Sequence, residues 1–407
     1  MKMRKILEKA LFVLLTIVLA TSPAFGQATS SASTSPSPIK IGGSLPLTGL
    51  FSESAKWIKV GYEFWEQDIN KRGGLLGRPV KMIIYDDESN VDKSVTYYER
   101  AITVDKVDLV FGGPPGTISV ALMPMMEKHE KVFIGPGGQL KVFEQGFTYS
   151  FASPPLMAEW AYISFAKPVD DLIPKADWPK SIAIFTMNNA IGVSARGNMI
   201  KAMEERGIKV VVDETYNVPL SDATAMVTKA KAKNAEIFCC LSNFDDGVML
   251  VRSAKSMNYT PKLIMQQIAS KVPAWMKELG GDGNNVLGNT FWAPGLPYPG
   301  NEKILEGAKE KLGIPMPPDH FGQAYCWMYT LELGVRGTNT LDNKKIRDYL
   351  RSRPFDLPYG KGIKFDSRGL PPPFAYTVQT TGGQNRLVWP KEVANTPLIY
   401  PRPPWSK

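Results

Sequence analysis

Residues 39–85 read IKIGGSLPLTGLFSESAKWIKVGYEFWEQDINKRGGLLGRPVKMIIY, and this stretch decides the fold. Ile39–Leu45 has the apolar run of a buried strand. Lys56–Asn70 has helical periodicity, with Trp57, Val60, Phe64 and Ile69 near one face, and Lys71-Arg72-Gly73-Gly74 ends it. Val80–Tyr85 is a second strand. A strand, a helix and a strand within 47 residues predict parallel pairing through a crossover helix. Further strands are expected at Leu109–Gly112 and Val132–Gly135, and further helices at Asp92–Val104 and Ser119–Lys128.

The order of elements then repeats. Strands are predicted at Ser181–Thr186, Ile208–Val212, Glu236–Leu241 and Lys262–Gln266. Helices are predicted at Val193–Arg206, Ala223–Lys233 and Gly247–Ser256. The expected class is α/β, with two doubly wound parallel-sheet lobes. Beyond residue 290 the order changes to helices at Glu302–Leu312, His320–Arg336 and Lys344–Arg351. Short strands follow at Gly362–Phe365, Ala375–Thr380 and Arg386–Trp389. Pro397, Pro401, Pro403 and Pro404 predict an extended tail over Pro397–Trp405, packed on the surface.

Lys2, Arg4, Lys5 and Lys9 precede an apolar run from Ala10 to Ala20, and Ala24-Phe25-Gly26 offers a small-x-small cleavage site. This predicts a cleavable secretory signal over residues 1–26. The apolar run is too short to span a bilayer, which takes about 20 residues. No cysteine near the cleavage point offers a lipid attachment atom. Residues 27–38 (QATSSASTSPSP) read as a Ser/Pro linker.

Of 407 residues, 48 are Lys or Arg and 39 are Asp or Glu, a formal charge of +9. Loss of residues 1–26 removes four positive charges and one negative charge, leaving +6. No basic stripe is present, so no nucleic-acid partner is expected. Two histidines (His129, His320) and three cysteines (Cys239, Cys240, Cys326) exclude most zinc sites and most Ser/His or Cys/His nucleophile schemes. Strand alternation sends Cys239 and Cys240 to opposite faces, so all three cysteines are expected as buried free thiols. No metal or other cofactor is expected. Asp86-Asp87-Glu88 follows a strand and precedes a helix, which fits capping better than a metal cluster.

In open parallel sheets a ligand sits beyond the carboxyl ends of the strands. The loops there are rich in small and polar residues: Pro46-Leu47-Thr48-Gly49, Gly112 through Thr117, Gly135 through Gln139, Met187-Asn188-Asn189, Ser242-Asn243-Phe244 and Gln266-Gln267. No nucleophile elbow, phosphate loop or dinucleotide fingerprint occurs. Asp86 with Asp245 is the least implausible acid–base pair for an exported enzyme, and no recognised spacing supports it.

The chain resembles the type I solute-binding proteins of ABC importers, most closely the branched-chain amino acid-binding group. The resemblance covers nearly all of the chain after the linker. It is carried by Ile41 through Gly49 (IGGSLPLTG), Gly61 through Gly74 (GYEFWEQDINKRGG), Gly77, Tyr85-Asp86-Asp87, Val110-Phe111-Gly112, Ile134 through Gly137 and Gly360 through Gly369 (GKGIKFDSRG). It implies two lobes, 39–150 plus 292–358 and 151–291 plus 359–407, joined by a three-stranded hinge. The crossings would fall near Ser150–Ala152, Thr290–Ala293 and Pro358–Lys361. It also implies capture of a small molecule outside the cytoplasm, in the periplasm, by a monomer that delivers it to a membrane-embedded permease. A sensory protein of the same fold is the alternative.

The resemblance places Ser54 and Trp57 at the pocket rim. It places Gly116 and Thr117 where backbone N–H groups and a hydroxyl hold a ligand carboxylate, and Gly138 and Gln139 where further backbone contacts arise. From the second lobe it implies Ile191 where a Tyr is common, Ser242 where an aromatic is common and Gln267 where an acid is common; Asn188 and Asn243 belong to the same loops. A neutral Gln267 cannot pair with an α-ammonium, so the expected ligand is a carboxylate or amide without an amine. Asp245 or Asp246 as the replacement acid would restore a branched-chain amino acid. Ser89 and Pro115 stand where the family carries a disulfide.

Overall fold

The computed structural model describes residues 36–113, 116–155, 158–314 and 317–405. The leader expected over residues 1–26 and most of the linker lie outside these residues. The chain begins with β1 (Ile39–Leu45), α1 (Ser52–Lys71), β2 (Val80–Asp86), α2 (Val91–Thr103), β3 (Leu109–Val110), α3 (Gly116–Lys128), β4 (Phe133–Gly135), α4 (Leu140–Phe143), β5 (Ser150–Ala152) and α5 (Ile163–Leu172). Strands β2, β1 and β3 form one parallel sheet in that order, and β4 pairs parallel with β5. The backbone joins these two groups closely at Gly112. A Cβ there would stand 1.9 Å from the Ile134 carbonyl oxygen, so only glycine fits.

The second set is β6 (Ser181–Met187), α6 (Ala190–Glu204), β7 (Lys209–Tyr216), α7 (Thr224–Ala232), β8 (Ile237–Leu241), α8 (Phe244–Ser256), β9 (Leu263–Gln266), α9 (Ala274–Leu279) and β10 (Val286–Thr290). The chain continues with α10 (Asn301–Leu312), α11 (Asp319–Thr338), α12 (Asn343–Ser352), β11 (Phe355–Leu357), β12 (Gly360–Ile363), β13 (Tyr376–Thr381) and β14 (Gln384–Trp389). A seven-stranded sheet has the order β14-β13-β10-β9-β8-β6-β7. Its β6–β10 portion is parallel, and the β13–β14 hairpin adds two antiparallel strands. Gly382 (φ +57) and Gly383 (φ +78) make that hairpin's two-residue turn, which needs left-handed backbone at both positions. The architecture is therefore α/β with two parallel-sheet lobes, as expected.

Strand alternation sorts the second sheet into two cores. Phe185, Phe238, Cys240 and Ile264 face one; Ile184, Ile237, Cys239 and Met265 face the other. All three cysteines are buried free thiols, and burial pushes Cys239 up to about 12.

In the first lobe, α1 packs along α11. Its buried seam is Ile58, Tyr62, Trp65 and Ile69, with Phe64 beside it; of the expected set Phe64 and Ile69 are buried, while Trp57 and Val60 are only half-buried. The expected stripe weighted Trp57 for its size, yet the i, i+4, i+7, i+11 spacing from Ile58 makes the more continuous seam. Each of these large side chains contributes about 1.5–3 kcal/mol on burial. Gly61 lets the two helices meet, since a Cβ there would lie 2.6 Å from the Phe321 carbonyl oxygen.

Short elements escaped the sequence pattern. Strands β10 and β11 and helices α4, α5 and α9 were not expected. They span three to ten residues, and β10 (VLGNT) carries little periodicity. The tail lies on the second sheet: Gln379 holds Ile399 through both backbone atoms (2.9 and 3.0 Å), Arg402 N–H donates to Lys262 O (2.8 Å), and the Trp405 indole donates to Tyr259 O (2.8 Å).

Candidate functional site

The carboxyl ends of the parallel strands from both lobes face a shared cavity of about 160 Å³. The first lobe contributes Pro46, Leu50, Phe51, Glu53, Ser54, Ala55 and Ile58, Gly113, Gly116 and Thr117 at the start of α3, and His320 and Trp327 from α11. The second contributes Met187, Asn189, Ile191, Val218, Asn243, Phe244, Gln267, Ile268, Lys271, Asn289 and Phe291. Most of this lining is apolar.

Of the residues singled out in the sequence, Ser54, Gly116, Thr117, Ile191, Asn243 and Gln267 line the cavity. Ser54 does so with Ala55 and Ile58 on one face of α1, and Trp57 is rotated off that face, with the Lys56 ammonium 5.2 Å from its ring. Gly138 packs against the Gly116 backbone. Gln139 spans the lobes instead, donating through Nε2 to Ala190 O (2.9 Å) and Ser194 Oγ (2.7 Å). Asn188 is exposed and bonds Asn217; its neighbour Asn189, which caps α6 by accepting from Gly192 N–H, reaches the cavity. Ser242 is fully buried under α8, donating to Gln266 Oε1 at 3.0 Å. Asn243 also caps α8, accepting from Asp246 N–H (3.0 Å).

Neither Asp245 nor Asp246 lines the cavity; Asp246 accepts from Leu220 N–H (2.9 Å) beneath it. Asp86 does not line it either. Its carboxylate accepts from Leu47 N–H, Thr48 N–H and hydroxyl, and Glu88 N–H, tying the β1 and β2 loops together. Among the described residues no cluster of His, Cys, Asp or Glu has the makings of a metal site.

Further polar residues of the site were not flagged as site residues in the sequence. Lys271 follows β9 at the end of the turn Ala269–Lys271, with its side chain 5% exposed. Its Nζ lies 3.9 Å from Asp319 Oδ2, close enough to attract but too far to hydrogen bond. Burial pulls the ammonium's pKa down, and Asp319 partly offsets this. Burial raises the Asp319 carboxyl to about 6 against the pull of Lys271 and a 2.8 Å hydrogen bond from the Thr290 hydroxyl. Burial, with Lys271 adding to it, lowers His320 to about 3, so the imidazole is neutral at physiological pH. Gln267 Oε1, Asn289 Oδ1, His320 Nδ1 and Trp327 Nε1 are buried with no hydrogen-bond partner. Lone polar residues such as Lys271 in IASKVPAW carry no spacing signal, and His320 and Trp327 reach the cavity only because α11 packs on α1.

A cleft at the strand ends of two lobes agrees with the comparisons. The periplasmic binding protein family matches residues 38–384. The chain belongs to the periplasmic binding protein family. Among curated relatives, a leucine-, isoleucine-, valine-, threonine- and alanine-binding protein of Pseudomonas aeruginosa is 22% identical over 345 residues, covering 84% of this chain and 89% of that one. A leucine-binding protein from Thermotoga maritima superposes with a TM-score of 0.76 at 20% identity, covering 86% of this chain and 97% of the other. A solute-binding protein from R. palustris in complex with benzoate superposes with a TM-score of 0.73 at 16% identity, covering 89% and 98%. These periplasmic binding proteins share the type I fold with the present one. No described helix is long and apolar enough to cross a membrane.

Proposed function

We propose that this periplasmic binding protein is the extracytoplasmic receptor of an ABC importer. It captures a small organic carboxylate or amide between its lobes as a monomer and hands it to a membrane-embedded permease. The lobes are taken as residues 39–150 plus 292–358 and 151–291 plus 359–407, and residues 1–26 as the export signal. The observation that carries this reading is a largely apolar cavity walled by both lobes, which a ligand fills only when the lobes are together.

The polar lining favours a ligand without an amine. Glu53 is the sole acid among the described lining residues, and its Oε1 already accepts from Lys56 Nζ at 2.5 Å. Gln267 carries no charge, so an ammonium buried beside it would lie unpaired at a cost of several kcal/mol. The start of α3 adds Gly116 and Thr117 as polar contacts from the first lobe. The benzoate complex of the R. palustris protein and the amino-acid specificity in the name of the P. aeruginosa relative mark the two ligand classes to separate.

Thermal-shift screening against amino acids, amides, dicarboxylates and aromatic acids tests the reading. A true ligand at a hundred times its Kd stabilises the native state by about 2.7 kcal/mol. A midpoint that no class raises refutes solute capture. N-terminal sequencing of the exported protein is expected to begin just after Gly26, and retention of residues 1–26 would refute the export signal.

A further inference from the structure

We infer that Lys271 is the ligand's charge partner, and that the ligand presents an oxyanion, a carboxylate by preference, to the second-lobe wall. This assignment rests on the solute capture proposed above and adds to it the sign and position of the recognised group. The second-lobe lining holds one cation, Lys271, the amides of Asn189, Asn243, Gln267 and Asn289, and no acid. The remaining residues of that wall are apolar.

Three observations single out Lys271. Its side chain is almost wholly buried, yet its ammonium has no hydrogen bond to Asp319, which stands 3.9 Å away. A buried ammonium ordinarily fills its donor sites, because each unmet donor keeps a desolvation cost. Second, Gln267 and Asn289 line the same cavity with buried, unpartnered amide oxygens. An amide assigned the other way round presents its NH₂ instead, so both side chains suit a ligand oxyanion held between them and Lys271. Third, the first-lobe lining adds the unpartnered indole N–H of Trp327, a donor, and its one acid, Glu53, is already paired through Oε1 with Lys56 of its own helix. His320 adds no positive charge, since it is neutral at physiological pH. An ammonium brought to this wall would meet Lys271; a carboxylate would meet a cation and amide donors.

Titration calorimetry with two matched pairs decides the matter: benzoate against benzamide, and 4-methylpentanoate against 4-methylpentanamide, with L-leucine as the zwitterion. The wild type is expected to bind at least one carboxylate about tenfold or more tightly than its amide. Lys271→Met is expected to weaken that carboxylate about thirtyfold and to leave the amide within about threefold. Lys271→Arg is expected to keep the preference for the acid. Lys271→Met combined with Asp319→Asn removes both charges, so that no carboxylate is left buried alone, and is expected to lose the same preference with its fold intact. Equal binding of acid and amide by the wild type, or an acid preference that survives both Lys271→Met variants, overturns the assignment. Leucine binding more tightly than every acid overturns it too, while leaving solute capture standing. Absence of binding by all five compounds overturns this assignment, and solute capture falls only if the four-class thermal-shift screen is also silent.

Discussion

Two buried charge groups in this periplasmic binding protein are built in opposite ways. At the α1–α11 seam, Glu332 accepts from Arg72 Nη1 (2.7 Å) and Nη2 (3.0 Å), Arg336 Nε (2.8 Å) and the Trp65 indole (3.3 Å). Arg72 Nε also donates to Asp68 (2.9 Å), and the Tyr325 hydroxyl to the same carboxylate (3.2 Å). Every strong donor there has an acceptor. Across the cavity, Lys271 and Asp319 stand 3.9 Å apart with no hydrogen bond between them. The first group is closed on itself and locks two helices; in the second, Lys271 lines the cleft and Asp319 lies outside that lining. Burial raises the carboxylate in both places, and only at Glu332 do enough hydrogen bonds overcome it.

The contrast breaks most easily at Glu332. Glu332→Gln is expected to cost about 2–3 kcal/mol, near the lower end for a broken buried pair because both arginines reach solvent. Its thermal midpoint should fall by roughly 3–4 °C, with ligand affinity per folded molecule unchanged. An affinity loss without a midpoint shift would mean that the two groups had been assigned the wrong roles. The paired substitution Lys271→Met with Asp319→Asn should do the reverse. Its unliganded midpoint should stay within about 1 kcal/mol of wild type, because removing both members of a buried pair is often neutral.

The pH profile sharpens the comparison further. Asp319 has its folded value raised to about 6, so its contribution is fully present below the unfolded value of 3.8 and is lost as pH rises through 6. His320 is lowered to about 3, so its contribution is present above 6.5 and is lost as pH falls toward 3. Between pH 4 and 6 the two slopes oppose each other. Denaturant midpoints of His320→Gln should therefore rise as pH drops from 7 to 5, and those of Asp319→Asn should fall over the same interval. Parallel profiles for the two variants would show that neither group titrates as its burial dictates. The smallest effect is expected at Gln139→Ala. It removes two hydrogen bonds between lobes, worth about 1 kcal/mol together, and should weaken ligand binding a few-fold with the midpoint of the unliganded protein almost unmoved.

The α/β class was legible because long parallel strands such as Val80–Asp86 and Ile237–Leu241 are apolar runs punctuated by helices. The strand-end loops were legible too, since a parallel sheet gathers them at one edge, and ten of the residues in those loops line the cavity. The misses have local causes. Asn188 and Asn189 differ only in which one turns inward to cap α6, a choice the tetrapeptide does not encode. Ser242 lies in the right loop, but its hydroxyl turns back to Gln266 under α8. Lys271, His320 and Trp327 come from segments far apart in the chain, and only their packing makes them neighbours.

The three cysteines suggest a practical use. Each thiol is fully enclosed, so the folded surface offers no native sulfur to a maleimide dye. Leu50, 50% exposed on a cleft loop of one lobe, and Val193, 51% exposed on α6 of the other, are ready positions for introduced cysteines. A donor and an acceptor fluorophore placed there would turn the opening and closing of the cleft into an optical signal, with no background labelling to subtract.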